Sequence, residues 1–155
     1  MKQIANEAIS NYNTVIELKP SGGAYRDLGV VYRDIGESEK AKEAFEKALE
    51  MYSTTIEEGT YKKMYSKYYS RGLTYYEMRD YDKAISDFNK AIELKSDYAE
   101  AYRDLGKAYV AIGDTANATE AFETAVRLFE EQGNPYIAEQ VKQLLEELPT
   151  VGASA

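Results

Sequence analysis

The segment Tyr25-Arg26-Asp27-Leu28-Gly29 decides the fold, because it returns as Tyr102-Arg103-Asp104-Leu105-Gly106, 77 residues later. Between the two copies, Ser70-Arg71-Gly72 stands in a similar setting. Each glycine is followed by an alanine–phenylalanine–alanine pattern of constant spacing, carried by Ala41, Phe45 and Ala48, then Ala84, Phe88 and Ala91, then Ala118, Phe122 and Ala125. The later sets are 34 residues apart and the first two are 43 apart, which indicates a repeat of 34 residues with nine extra residues near 53–64.

The spacing inside each copy predicts two helices. Tyr25, Leu28 and Tyr32 recur every three or four residues and therefore share one helix face, as do Ala41, Phe45 and Ala48 on a second helix. Gly36 and Gly113 fall where first helices should end, and Ser38, Asp80 and Asp114 where second helices should begin. A single helical hairpin cannot bury both faces, so hairpins stack. We therefore predict an all-α protein, an α-solenoid of antiparallel helix pairs with about eight helices.

This pattern resembles the tetratricopeptide repeat, Trp-x2-Leu-Gly-x2-Tyr followed by Ala-x3-Phe-x2-Ala and a closing proline. The resemblance extends over residues 4–132 in three copies that are in phase. The middle copy departs from it by placing Arg71 where leucine is usual, tyrosine stands at the tryptophan position, and the closing proline survives only as Pro20. The family implies that the α-solenoid is right-handed. It also implies a non-enzymatic scaffold or adaptor that binds a protein or peptide partner in a concave groove.

The copies predict a single domain over residues 1–148 and a flexible tail over 149–155. Within the domain we expect a half repeat at 4–21, repeats at 22–55, 65–98 and 99–132, an insertion at 56–64 and a capping helix at 134–148. Residues 4–19 match only the second helix of a repeat, so one apolar face is expected to be bare. That indicates either a piece of a longer or exported protein or a self-associating homo-oligomer. The capping helix has one apolar stripe and a polar back, as the end of a solenoid requires.

Composition and net charge exclude several classes of functional site. The 155 residues carry a net charge of −8 and contain neither histidine nor cysteine. Histidine-based triads and thiolate or imidazole metal sites are thereby excluded, and no phosphate-binding loop is present because Ser21-Gly22-Gly23 is interpreted as an interhelix turn. The negative charge disfavours nucleic acid and anionic membranes. We expect no enzyme activity, no cofactor, no metal and a cytoplasmic location.

The resemblance also implies where a ligand would bind. First helices of successive repeats line the groove, and the matching positions place nine residues there: Arg26, Val30, Arg33, Tyr69, Leu73, Tyr76, Arg103, Lys107 and Val110. Cations around an apolar-aromatic centre favour a ligand with a hydrophobic anchor and acidic flanks, since arginine can pair carboxylates. The alternative is that the arginines pair with Asp27, Asp34 and Asp104 and only solubilise this face.

Chaperone-binding members of the family hold a C-terminal carboxylate with a five-residue clamp. The matching positions here are Arg26, Val30, Ser70, Glu100 and Asp104. Arg26 keeps one cation of the clamp, but the acids Glu100 and Asp104 stand where it requires two others, which argues against that specificity.

A second candidate surface is a helix expected from about Tyr61 to Met78, which is rich in tyrosine and carries Lys62, Lys63, Lys67, Arg71 and Arg79. Nine additional helical residues would let this helix and its predecessor protrude. The residues are compatible with core tyrosines beside a solvated basic face, with a basic-aromatic ligand surface or with an oligomer contact. The alternative function is thus a structural unit that assembles through this insertion and the incomplete N-terminal repeat.

Overall fold

A computed structural model of the chain describes residues 2–59 and 63–149. Within these ranges the protein consists of eight α-helices without strands: α1 Lys2–Leu18, α2 Gly22–Asp34, α3 Ser38–Glu57, α4 Met64–Glu77, α5 Tyr81–Leu94, α6 Ala99–Ala111, α7 Thr115–Glu131 and α8 Pro135–Glu146. Each helix packs on the next along the chain. The predicted all-α solenoid of about eight helices is confirmed. We call α2, α4 and α6 the first helices, and α3, α5 and α7 the second helices.

The helix ends follow local chemistry, with two corrections. Gly36 and Gly113 adopt positive φ, 82° and 80°, directly after their helices, as predicted. Asp114 caps α7 by accepting a hydrogen bond from the backbone N–H of Asn117. The Ser38 prediction is wrong by one residue, because the N-cap is Glu37.

The interhelix turn predicted at Ser21–Gly23 is also wrong. Ser21 is the N-cap of α2, and its Oγ accepts from the Ala24 N–H. That bond satisfies one of the free donors at the start of a helix, so α2 already begins at Gly22.

Each helix pair closes on a glycine that faces a phenylalanine. A Cβ at Gly29 would lie 2.7 Å from the Phe45 ring, and one at Gly106 would lie 2.5 Å from Phe122. Real Cβ atoms do not approach aromatic carbons so closely, so the absence of a side chain is what lets the two backbones come together. The phenylalanines are buried, and the alanines that flank them complete the core between the helices.

The central connection differs from the sequence-based expectation. The last turns of α3 reach Glu57, beyond the repeat boundary, but α4 begins only at Met64 because Lys63 has a left-handed backbone with φ 67°. The predicted start near Tyr61 falls on residues 60–62, outside the described part of the chain. With 14 residues α4 matches α5 in length, so the expected long continuous helix from 61 to 78 is wrong.

The middle repeat replaces an apolar contact by an ion pair. Arg71 donates from Nε and Nη2 to the two carboxylate oxygens of Asp87, at 2.7 and 2.8 Å, and its Nη1 lies 3.2 Å from Ser53 Oγ of the preceding α3. The corresponding positions in the outer repeats hold Leu28 with Ala44, and Leu105 with Ala121. Arg71 at the leucine position is therefore balanced by Asp87 at the alanine position, and the pair links α3, α4 and α5.

The two ends of the stack are unlike each other. At the C-terminal end, α8 covers α7 with the buried residues Ala138 and Val141 and turns Glu139, Gln140 and Gln143 outward. At the N-terminal end, α1 contacts α2, but none of its described side chains is fully buried, and Ile4 and Leu18 are 72% and 82% exposed. One end is sealed by polar side chains, and the other presents apolar ones.

Candidate functional site

The three first helices contact one another in the order α2, α4, α6 and form one continuous face. Two polar contacts join them. Arg33 Nη1 of α2 pairs with the Glu77 carboxylate of α4, and Tyr69 Oη of α4 donates to Asp104 Oδ2 of α6 at 2.7 Å. This face contains the predicted groove residues, so its local geometry decides what it can bind.

Asp104 is the polar centre of the α4–α6 contact. Its side chain is 7% exposed and accepts from Arg103 Nε and Nη2 at 3.0 and 2.9 Å, while Lys107 Nζ lies 3.1 Å away. Burial alone would raise the pKa of Asp104, but the hydrogen bonds and charges of Arg103 and Lys107 outweigh it and hold the pKa below its usual value. The carboxylate is therefore ionised, and two predicted groove cations are held by it.

The other two groove arginines are paired in the same way. Arg26 donates to Asp27 Oδ1 at 2.8 and 3.0 Å, and Arg33 contacts both Asp34 and Glu77. The pairings that the sequence left as an alternative are thus present for Arg26, Arg33 and Arg103. An acidic ligand would have to exchange with these carboxylates, since none of the arginines is without an acidic neighbour.

Two depressions divide the predicted groove. The first, about 370 Å³, brings Arg26, Val30 and Leu73 together with Glu77 and Tyr12. The second, about 210 Å³, joins Tyr76, Lys107 and Val110 to Leu144 of α8 and to Glu147 and Leu148, which follow that helix. Six of the nine predicted residues therefore line one depression or the other.

The remaining three predicted residues serve the structure around the depressions. Tyr69 is turned into the contact between helices, where its ring lies 5.8 Å from that of Phe88, and burial together with the neighbouring Asp104 raises its pKa. Arg33 and Arg103 lie beside the depressions, within the ion pairs described above. These residues are better placed to hold the face than to contact a ligand.

Sequence reasoning missed several contributors, of which Glu77, Tyr12 and Leu144 are examples. Glu77 lies on α4 one residue beyond the groove stripe, and Tyr12 and Leu144 come from helices at the ends of the solenoid. The repeat period could not have predicted Tyr12 and Leu144, because α1 and α8 lie outside the three complete repeats. The position of Glu77 next to Tyr76 was the available signal.

The tyrosine-rich segment forms a cluster instead of one basic surface. The rings of Tyr65 and Tyr98 meet edge to face, with centroids 5.2 Å apart. The ring of Tyr69 also contacts that of Tyr98, at a centroid distance of 4.9 Å. Lys95 Nζ lies 5.0 to 5.2 Å from the centroids of Tyr98 and Tyr65. Because Arg71 is turned into the helix contact, the described part of this segment contributes fewer free cations than its sequence indicates; Tyr61 and Lys62 lie outside the described residues.

Within 2–59 and 63–149 there is no group of three or more acidic, histidine or cysteine side chains arranged to hold a metal ion. Nor does any described helix combine the length and the apolar character needed to cross a bilayer.

The comparisons with known families agree with this architecture. A tetratricopeptide repeat model matches residues 23–55 and 99–132, and a TPR repeat model matches residues 72–113. Together the matched segments extend over all three helix pairs. A search of curated proteins gives no match by sequence. The chain belongs to the tetratricopeptide repeat family.

Solved structures share the fold. A thermophilic TPR protein of Thermus thermophilus superposes with a TM-score of 0.65 at 22% identity, over 91% of this chain and 74% of that one. The TPR2B domain of yeast Sti1, solved as a complex with pHsp70, gives 0.61 at 24% identity over 81% and 93%. The first TPR of Spaghetti, bound to an HSP90 peptide, gives 0.54 at 20% identity over 82% and 94%. At these identities the likeness defines the fold alone.

Proposed function

We propose that this chain is a non-enzymatic adaptor that binds a peptide segment of a partner protein on the face of α2, α4 and α6. The observation that carries the proposal is the pair of apolar depressions on this face, each bordered by a cation: Val30 and Leu73 beside Arg26, and Val110 and Tyr76 beside Lys107. Concave apolar surfaces with a few polar groups at their rims are the usual form of peptide sites. Two fold neighbours, solved with pHsp70 and an HSP90 peptide, support this use of the fold.

The ligand is a segment with hydrophobic anchors and acidic flanks. The second depression favours acid more than the first, because its two cations, Lys107 and the adjoining Arg103, face only two carboxylates, Asp104 and Glu147. At the first depression Arg26 is already matched by Asp27, and Glu77 adds a further negative charge. An acidic residue would therefore bind beside Lys107, and a neutral apolar residue near Leu73.

A chaperone C-terminus is not the ligand that we propose. The clamp position at Asp104 is a buried carboxylate held by Arg103, Lys107 and Tyr69, so it repels the terminal carboxylate that a clamp should attract. Specificity for such a terminus does not follow from sharing the fold.

Binding can be tested with labelled short peptides that carry a central leucine pair flanked by glutamates, and with lysine-flanked counterparts as the comparison. Fluorescence anisotropy should show tighter binding of the glutamate-flanked set. We expect Val110→Glu to weaken it at least about tenfold, since a carboxylate would replace an apolar contact beside the acidic flank. Val110 is 44% exposed, so the substitution removes little packing in the free protein.

The matched control is Lys47→Gln on the outer face of α3, where the lysine is 60% exposed and pairs only with Glu50. Equal loss of affinity in both variants would contradict the proposed site. So would equal affinity for the glutamate-flanked and the lysine-flanked peptides. Far-UV circular dichroism of each variant reports whether the helices are retained.

A further inference from the structure

Helix α1 has two parallel stripes of side chains. The inner stripe, Ala5, Ile9, Tyr12 and Ile16, is half-buried and is the side that faces the rest of the solenoid. The outer stripe consists of Ile4, Ala8, Asn11, Val15 and Leu18, of which Ile4, Val15 and Leu18 are 72%, 48% and 82% exposed. A 17-residue helix therefore has a second apolar side that nothing in the described chain covers.

The same stripe is buried in the complete repeats. The positions of Ala8, Asn11 and Val15 correspond to the buried residues Ala41, Ala44 and Ala48 of α3, Ala84, Asp87 and Ala91 of α5, and Ala118, Ala121 and Ala125 of α7. In those helices the stripe packs on the first helix of its own pair. In α1 the corresponding first helix is absent from the described residues, so the stripe is open.

At two positions α1 has a more apolar residue than the repeat pattern gives. Where the second helices begin with an acid, Glu37, Asp80 or Asp114, α1 has Ile4. Where they have a fully buried alanine, α1 has the larger Val15. A helix that packed only on the first helix of a repeat, as the second helices do, would be expected to keep both the acid and the alanine. The outer stripe of α1 is therefore suited to a different helix partner.

We propose that the outer stripe binds the outer stripe of a second copy of this chain, with the two α1 helices antiparallel and related by a two-fold axis at Asn11. The stripe spacing of four, three, four and three residues is that of a helix-pair seam. Around the axis Ile4 lies opposite Leu18, each seven residues from Asn11, while Ala8 and Val15, three and four residues from it, are neighbours across the seam. Asn11 meets its own copy, and such a central asparagine pair sets the register of the two helices.

Charge and polarity favour this partner over the other end of the chain. The helix α1 carries one lysine and two glutamates, so two copies meet with little repulsion. The outward side of α8 presents Glu139, Gln140 and Gln143 beside the exposed Tyr136, and would leave most of an apolar stripe opposite polar groups. The seam from Ile4 to Leu18 is about 21 Å long, which is small for a protein interface, so we expect a dissociation constant on the order of 10 µM.

Sedimentation velocity of the full chain from about 1 to about 500 µM tests the association. We expect a reversible monomer–dimer equilibrium that Val15→Glu weakens roughly tenfold or more, because it places a charge in the apolar seam. The control is Ile112→Glu, a substitution at a residue of nearly equal exposure, 47%, far along the chain. A wild-type monomer at every concentration, or a dimer that persists in Val15→Glu, would overturn the proposal.

Cysteine cross-linking tests the antiparallel arrangement, since the chain has no cysteine of its own. Asn11→Cys should form a disulfide dimer at least about tenfold faster than Ser86→Cys, an exposed position on α5. Ile4→Cys should cross-link with Leu18→Cys in a mixture but not with itself. Self cross-linking of Ile4→Cys, or no advantage for Asn11→Cys, would show a different interface. The groove peptides take no part in these readouts, so their failure to bind leaves this test unaffected.

Discussion

At the scale of single residues, the contact between Arg71 and Asp87 shows how one repeat can change its core chemistry without changing its fold. Both carboxylate oxygens of Asp87 are used, and the side chains are 20% and 7% exposed. The neighbouring repeats place leucine against alanine at the same sites. A two-point, charge-assisted contact therefore occupies the volume of an aliphatic one, with the added requirement that both partners be present.

This requirement predicts strong non-additivity. We expect Asp87→Ala alone to lower the free energy of unfolding by about 2–4 kcal/mol, because it leaves a half-buried guanidinium without its partner. The double variant Arg71→Leu with Asp87→Ala recreates the Leu–Ala contact of the outer repeats and should lie within about 1 kcal/mol of the wild type. Urea denaturation of the wild type, both single variants and the double variant measures the coupling. Additive losses would show that the pair contributes little.

The same pair marks the limit of sequence-based prediction. The repeat pattern flagged Arg71 as a departure, but its partner lies on another helix, and helix periodicity connects only residues within one helix. The sequence pattern therefore placed Arg71 on a basic face of α4, whereas in the structure it is turned into the contact with Asp87 of α5. By contrast, Gly29 and Phe45 could be predicted as a helix-pair contact, because small and large residues recur together in three copies.

At the scale of helix pairs, backbone separation is set by single glycines. Within α2 alone, Gly29 and Gly23 have different surroundings: a Cβ at Gly29 would lie 2.7 Å from the Phe45 ring, whereas one at Gly23 would meet only Tyr52 Oη at 3.6 Å. Gly29 lies in the interior of the helix and Gly23 in its first turn, so the gain in helix propensity from alanine is at least as large at Gly29. The difference between them isolates packing against α3.

Gly29→Ala should therefore lower the free energy of unfolding by about 1–3 kcal/mol, as overpacking outweighs the gain in helix propensity. Gly23→Ala should be neutral or stabilising by up to about 1 kcal/mol. Thermal and urea unfolding of the two variants checks the order. If Gly29→Ala were the more stable of the two, close helix approach would not be the reason for glycine at that position.

At this scale the candidate site was only partly predictable. The period of the first helices placed Val30, Leu73 and Val110 on the groove face. It could not show that the face is split into two depressions, because Tyr12 and Leu144 reach it from the end helices. The charge state of the face depends likewise on Glu77 and Asp104, whose contacts span different helices.

At the scale of the whole molecule, the 15 tyrosines link stability to alkaline pH. Burial raises the pKa of Tyr52, Tyr69 and Tyr76 above the usual value, and it raises that of Tyr98 to about 12. In the unfolded chain these phenols ionise near pH 10. The folded state holds its protons more tightly, so its stability is unaffected below about pH 10 and falls as the pH rises further.

We expect urea midpoints to be level from about pH 7 to pH 9 and to fall steeply above about pH 10. Tyr69→Phe should make that fall shallower, although it also removes the hydrogen bond to Asp104 and lowers stability at neutral pH. Tyr136→Phe is the control, since Tyr136 is 76% exposed and has little burial to lose. If the urea midpoint fell equally steeply above about pH 10 in the wild type and in both variants, buried tyrosines would be excluded as the cause of the fall.

The polar back of α8 also determines where this protein could be lengthened. A helix pair appended after α8 would have to pack on Glu139, Gln140 and Gln143, a mainly polar side whose exposed aromatic residue is Tyr136. A pair inserted at the Gly133 turn would instead meet Phe129 of α7 on one side and Val141 of α8 on the other, both buried in the present chain. New repeats with the same consensus would thus be accepted ahead of the last helix, and the original terminus would close the longer array.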